Sequence, residues 1–170
     1  MTFFDSINNG NISGKKIVGG FVGENTENEN MKKTISNCTN NGICTGGDEY
    51  TGGFIGYCDE NNGLIIIISN TVNNGLITSE CAGGFAGGIL SNNNVNMTIS
   101  NSNNTGMITG NSLAGGLVGG IQPGSDSSFH VFNIINSANK GNVSVKNRMA
   151  CGMICVSLFG AHNINTTILN

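Results

Sequence analysis

The side chains of this 170-residue chain with most to offer chemically are six cysteines, two histidines and ten acidic residues. A metal centre would call for cysteines or histidines at ligand spacing. Cys38, Cys44, Cys58, Cys81, Cys151 and Cys155 contain no Cys-x-x-Cys pair, and His130 and His162 lie far apart. Cys151 and Cys155, placed on one extended strand, would stand about 13 Å apart at roughly 3.3 Å per residue, too far to bond without a bend. Mostly free thiols are therefore expected, with Cys44 acting as a small buried hydrophobe. The acidic pairs Asp48-Glu49 and Asp59-Glu60, and the group Glu24, Glu27 and Glu29, are hard oxygen donors of the kind calcium takes. They do not recur at a calcium-array spacing and read better as solvated loop charges. The segment Gly10-Asn11-Ile12-Ser13-Gly14-Lys15 is one residue short of a phosphate loop and lacks its hydroxyl residue. The carboxylates fall in different variable segments and form no convergent pair of the glycosidase type. The expectation is a non-enzymatic chain with no metal and no cofactor.

What must position any functional surface is a repeat. Gly10, Gly42, Gly75, Gly106 and Gly141 recur at intervals of 32, 33, 31 and 35 residues. An asparagine precedes each by two positions (Asn8, Asn40, Asn73, Asn104, Asn139), and Asp5, Asn37, Asn70, Asn101 or Asn136 precedes it by five. Eight to ten residues after it begins a glycine block, as in Gly19-Gly20-Phe21-Val22-Gly23, Gly52-Gly53-Phe54-Ile55-Gly56 and Gly83-Gly84-Phe85-Ala86-Gly87. A period of this size marks a stacked array. Its units run approximately 3–30, 31–63, 64–94, 95–129 and 130–164, with a sixth beginning at 165–170.

Glycine (27) and asparagine (30) make up a third of the residues, a composition that in itself favours disorder. The fixed placing of apolar residues in every unit argues for order instead. Each unit holds three short extended stretches and no apolar run of helical period. The prediction is an all-β, parallel β-solenoid of about five coils of roughly 32 residues, with three short strands in each. A stack of small antiparallel units, as in a β-prism or propeller, is the alternative. Ile12, Cys44, Ile77, Ile108 and Val143 form one interior column, and Phe21, Phe54, Phe85, Leu117 and Met153 another. Pairs such as Asn41-Gly42 and Asn74-Gly75 are expected to supply positive φ at the turns. Stacked asparagines are expected to satisfy turn amides.

The block Gly-Gly-(Phe/Leu)-(Val/Ile/Ala)-Gly, set after Gly-x-Ile-(Thr/Ser) and an Asn-x-x-Asn-x-Gly turn, resembles the GLUG repeat, with Gly115-Gly116-Leu117-Val118-Gly119 matching best. The fifth copy, Cys151-Gly152-Met153-Ile154-Cys155, departs from it. That repeat occurs in large surface proteins, including bacterial adhesins and non-catalytic parts of immunoglobulin A-cleaving peptidases. The resemblance implies a stalk or adhesive module at a cell surface or outside the cell.

The face expected to bind is the outward column Ile43, Leu76 and Met107 beside Thr45, Thr78 and Thr109, an apolar strip edged by hydroxyls. Glycan or surface protein is the expected partner. An ice- or crystal-surface binder and a polysaccharide-active enzyme are the alternatives, although a paired Thr-x-Thr rank is absent here. A net charge of −3 and a pI near 5.2 leave no basic footprint for nucleic acid. No signal peptide opens the chain, and Leu64 to Ile68 is too short to span a bilayer, so no membrane insertion is expected. Six Asn-x-Ser/Thr triplets, from Asn11, Asn37, Asn96, Asn103, Asn142 and Asn165, fall within chance for such a composition. Neither end shows a cap, so further repeats or end-to-end self-association are expected.

Overall fold

The computed structural model describes residues 1–26, 29–59, 62–123, 129–156 and 163–169. Glu27, Glu60, His162 and parts of the variable segments lie outside them. Among the described residues the regular structure is all β, wound as a parallel solenoid in which every strand pairs with its equivalents one unit away. Coils are named here by their anchor glycines, Gly10 to Gly141.

Sheet 1 has six strands, Thr2–Phe4, Lys32–Ser36, Ile65–Ser69, Asn96–Ser100, Phe129–Ile135 and Asn163–Leu169. Ile and Thr dominate it, side chains that suit a pleated, half-buried surface. Sheet 2 consists of the two-residue strands Ile7–Asn8, Thr39–Asn40, Val72–Asn73, Asn103–Asn104 and Ala138–Asn139. Sheet 3 begins with Ile12–Gly14, Cys44–Gly46, Ile77–Gly83, Ile108–Gly115 and Val143–Val145, and its later arm adds Val18–Gly19, Tyr50–Gly52 and Met149–Cys151. Sheet 4 holds Val22–Thr26, Ile55–Asp59, Ala86–Asn92, Val118–Pro123 and Ile154–Val156. The third stretch of each unit thus divides at its glycine block, which forms a corner between sheets 3 and 4. A coil has four walls.

The glycines make that corner. A Cβ on Gly52 would stand 2.7 Å from the backbone nitrogen of Gly87 in the next coil, and one on Gly53 would stand 2.8 Å from Cγ of Asn73. Both distances are shorter than real side chains allow, so backbones approach here in a way only glycine permits. The Asn73 contact also places the asparagines of sheet 2 against the corner. Between them they pinch the interior into two apolar cores. The larger lies under sheets 1 and 4 and includes Phe54, Phe85, Leu117, Ile66 and Ile99; the smaller lies under sheet 3 and includes Cys44, Ile77, Ile108 and Ala82. Phe54 stacks between Phe21 and Phe85 with ring centres 5.0 and 5.4 Å away. Each such fully buried side chain contributes about 1.5–3 kcal/mol.

Positive φ appears where the expectation did not put it. Asn37, Asn70, Asn101 and Asn136 have φ of 55°, 51°, 49° and 47°, and Asp5 has 48°. These residues, five before each anchor glycine, turn the chain from sheet 1 to sheet 2, and short polar side chains are the ones that tolerate this region. Asn41-Gly42 and Asn74-Gly75 have no positive φ. Gly42 and Gly75 are needed for a different reason: a Cβ on either would collide with the carbonyl of the anchor glycine one coil earlier.

Three polar ladders run along the axis. In the buried one, Asn8, Asn40, Asn73 and Asn104 each donate from Nδ2 to Oδ1 of the asparagine in the following coil, at 2.7, 2.8, 2.6 and 2.7 Å. The second N–H of Asn40, Asn73, Asn104 and Asn139 goes to the anchor-glycine carbonyl two residues on. The exposed ladder beside it points the other way, Asn74 donating to Asn41 and Asn41 to Asn9 at 2.8 Å each, so the two rows of amide dipoles oppose one another. A third row was not foreseen. The hydroxyls of Thr71, Ser102 and Ser137 accept backbone N–H groups from the coil before and donate to the carbonyl two residues back.

Cys151 and Cys155 are joined in a disulfide, contrary to the expectation of free thiols. The corner supplies the bend that a single strand lacks, bringing their Cα atoms to 5.4 Å. Cys151 pairs in register with Gly115. In the fifth coil, then, a covalent bond stands where the others bring two glycines together. Cys38, Cys44, Cys58 and Cys81 lie outside any disulfide and are buried.

Candidate functional site

On the early arm of sheet 3, in-register pairing fixes two outward ranks. Ser13, Thr45, Thr78, Thr109 and Ser144 are paired one to the next. Two residues earlier stand Ile43, Leu76 and Met107, between Asn11 and Asn142. Strand spacing repeats each rank every 4.7–4.9 Å or so, and the ranks lie about 6.7 Å apart, two residues of extended chain. Ile43 and Met107 are 39% and 48% exposed, and Leu76 is half-buried. Thr45 is exposed; Thr78 and Thr109 are half-buried. The hydroxyls of Thr109 and Ser144 stand 3.3 Å apart, and the Ile43 backbone N–H donates to Asn11 Oδ1 at 3.0 Å. The strip is thus exposed apolar surface on a rigid sheet, with hydroxyl oxygens along one side and the outer asparagine ladder along the other. It can take a flat partner by apolar contact and hydrogen bonds.

Behind this face, the inward column of the same strands has Cys44, Ile77 and Ile108 fully buried, with Ile12 and Val143 half-buried. At the corner Phe54, Phe85 and Leu117 are fully buried, and Phe21 and Met153 half-buried. The acidic side chains are dispersed. Lys16 and Glu49 pair across coils at 2.8 Å, and the Tyr57 hydroxyl donates to Asp59 at 2.6 Å. Among the described residues no three of His, Cys, Asp and Glu gather closely enough to hold a metal ion.

Sequence reasoning missed a cleft. The outer faces of the later arm of sheet 3 and of sheet 4 turn towards one another across the glycine corner. In the second coil Tyr50 and Tyr57 fill that angle, their rings stacked at 4.7 Å. Tyr57 is followed in register by Gly88, against which the Tyr50 ring lies, and by Gly120, which has no side chain to fill the angle. The result is a cleft of about 290 Å³, with Tyr50 at one end, Cys81 and Leu113 on its floor, and Glu80, Gln122 and Arg148 at its lip. The Ser112 hydroxyl donates to Glu80 across a bulge in sheet 3. Burial, with the Glu80 charge added, pushes the Cys81 thiol up to about 11, so it is a neutral group at ordinary pH. Burial likewise pushes the Tyr50 hydroxyl up to about 12. The sequence did carry a signal: the doublets Gly87-Gly88 and Gly119-Gly120 extend the glycine block in two units, where the second unit has Gly56-Tyr57. No protein-family model matches the chain, and no curated protein or solved structure does.

Proposed function

We propose that this chain is a structural and adhesive repeat segment of a surface protein, presenting the two-rank face of sheet 3 to a glycan or a protein surface. The observation that carries this reading is the strip of exposed Ile43 and Met107 with half-buried Leu76 between them, held in register with the Thr45, Thr78 and Thr109 hydroxyls. Exposed apolar ranks on a rigid wall cost solvation unless something covers them, and a periodic face favours a periodic or flat partner. The resemblance to the GLUG repeat points the same way. So does the Cys151–Cys155 bond, since disulfides persist in oxidising compartments such as the cell exterior.

Glycan-array binding tests the reading, with Leu76→Lys as the control. A hydrated charge in the middle of the strip is expected to abolish binding and leave the far-UV spectrum unchanged. Binding that survives Leu76→Lys moves the interaction off this face. Thermal hysteresis or turnover of a polysaccharide, without such binding, would replace the adhesive reading with the ice-binding or enzymatic one.

A further inference from the structure

We propose that the cleft between the later arm of sheet 3 and sheet 4 is a binding site for one pyranose ring of a neutral glycan. It shares with the function proposed above only the class of partner. Its residues are separate, so the two stand or fall independently.

The charges at the lip set the class. Glu80 and Arg148 lie on the same cleft, and each acts on the Cys81 thiol with opposite sign. A phosphate or carboxylate that met Arg148 would also meet Glu80, and a cation would meet Arg148. A neutral ligand escapes both penalties.

Hydrogen-bonding capacity narrows it further. Glu80 offers only acceptors, one of them already taken by Ser112, while Arg148 offers only donors and Gln122 offers both. A purely apolar ligand would strip water from all of them without replacing it. Each hydroxyl of a sugar donates and accepts, so neighbouring hydroxyls can serve the whole lip.

The floor and end wall complete the match. Leu113 and Tyr50 present apolar surface suited to the C–H face of a sugar ring, and the neutral Cys81 thiol lies between them in register. The Tyr50–Tyr57 stack, with the Tyr50 ring lying against Gly88, closes one end of the cleft, and Gly120 leaves it open in the fourth coil. The volume of about 290 Å³ holds one ring and its substituents.

The test uses an accident of composition. The chain has no tryptophan and two tyrosines, Tyr50 and Tyr57, so its intrinsic fluorescence reports the cleft wall alone. The intact chain is titrated with the neutral methyl pyranosides of glucose, galactose, mannose and N-acetylglucosamine, and with methyl glucuronide and inorganic phosphate as charged comparators. The expected result is a saturable change in the millimolar range with at least one neutral sugar. Glu80→Gln and Gln122→Ala are expected to weaken it on the order of tenfold or more, and Leu76→Lys to leave it unaltered. Gln122 and Arg148 are exposed side chains, so Gln122→Ala and Arg148→Ala decide the matter if Glu80→Gln does not fold. No saturable response to any neutral sugar overturns the proposal. So does a response to glucuronide or phosphate alone, or neutral-sugar binding that survives all the lip substitutions.

Discussion

Asn73 and Asn74 are adjacent and chemically identical, yet the fold gives them unequal work. Asn73 is fully buried and both accepts from Asn40 and donates to Asn104 and the Gly75 carbonyl. Asn73→Ala leaves the Asn40 donor and the Asn104 acceptor without each other's stand-in, in a place water does not reach. The expected loss is about 3 kcal/mol by urea denaturation. Asn74 is exposed, and Asn74→Ala is expected to cost about 0.5 kcal/mol. Equal losses would mean that burial does not set the value of a rung. Lys33 poses the opposite case. It stands in register with Ile66 inside the larger core, 1% exposed, and its Nζ has no hydrogen-bond partner among the described residues. Desolvation lowers its pKa from the ordinary 10.5. The unfolded chain therefore binds this proton more readily than the folded one, and folding is penalised at neutral pH, less so as pH rises towards 10.5. Lys33→Met is expected to stabilise by about 1 kcal/mol or more at pH 7. The gain over wild type is expected to shrink as pH rises. Comparing the two proteins removes the buried thiols of Cys44 and Cys81, each pushed up to about 11 by burial, which work in the other direction above their ordinary 9.0; Cys58, which the Lys33 charge acts on directly, does not cancel, and its contribution enters only above about 9.0. A gain that is constant with pH would place the Lys33 amine in water.

Glycine in this chain does its work at corners, through closeness more than through unusual torsion. Gly53→Ala drives a methyl group into the Gly84 carbonyl and Asn73, and is expected to cost about 1–3 kcal/mol. Gly23, four residues after Gly19 in the same block pattern, has nothing within 4 Å of the added carbon. Gly23→Ala is expected to be neutral or slightly stabilising, and thermal denaturation of the two variants checks the contrast. The parallel winding was legible because the same residue types return at the same place in every unit, and stacked equivalents must then share a wall. The Phe54–Phe85 and Ile77–Ile108 columns are of that kind. The division of the glycine block was not legible, since Gly-Gly-Phe-Ile-Gly reads equally as a strand with close neighbours and as a turn. The corner lies between Cys151 and Cys155, so the strand spacing that keeps them apart in one dimension does not apply. The cleft depends on how two outer faces are angled, which no periodicity in one dimension encodes. The buried lysine occupies a position that Ile66, Met97 and Phe132 fill in the following coils, and one lysine in a column gives no pattern to read.

Contacts in this molecule run between neighbouring coils, so its stability is close to a sum along one axis. Burial grades accordingly. Cys44, Ile77 and Ile108 are sealed while Ile12 and Val143 at the ends of the same column are half-buried. Amide hydrogen exchange is expected to be slowest in Ile77–Gly83 and to quicken towards Ile12–Gly14 and Val143–Val145. Uniform protection would indicate a single cooperative block. The winding also decides how the chain meets a pulling force. Because the backbone circles the axis, tension between its two ends is borne by the ladders joining one coil to the next, which are peeled in turn and not sheared together. Each released coil of roughly 33 residues adds about 110 Å of slack at ~3.3–3.6 Å per residue. The exception is the fifth, where the Cys151–Cys155 bond keeps its corner closed after the hydrogen bonds have gone. A chain wound this way lengthens in steps and absorbs work at each, and only reduction of one covalent bond lets the last of that slack go.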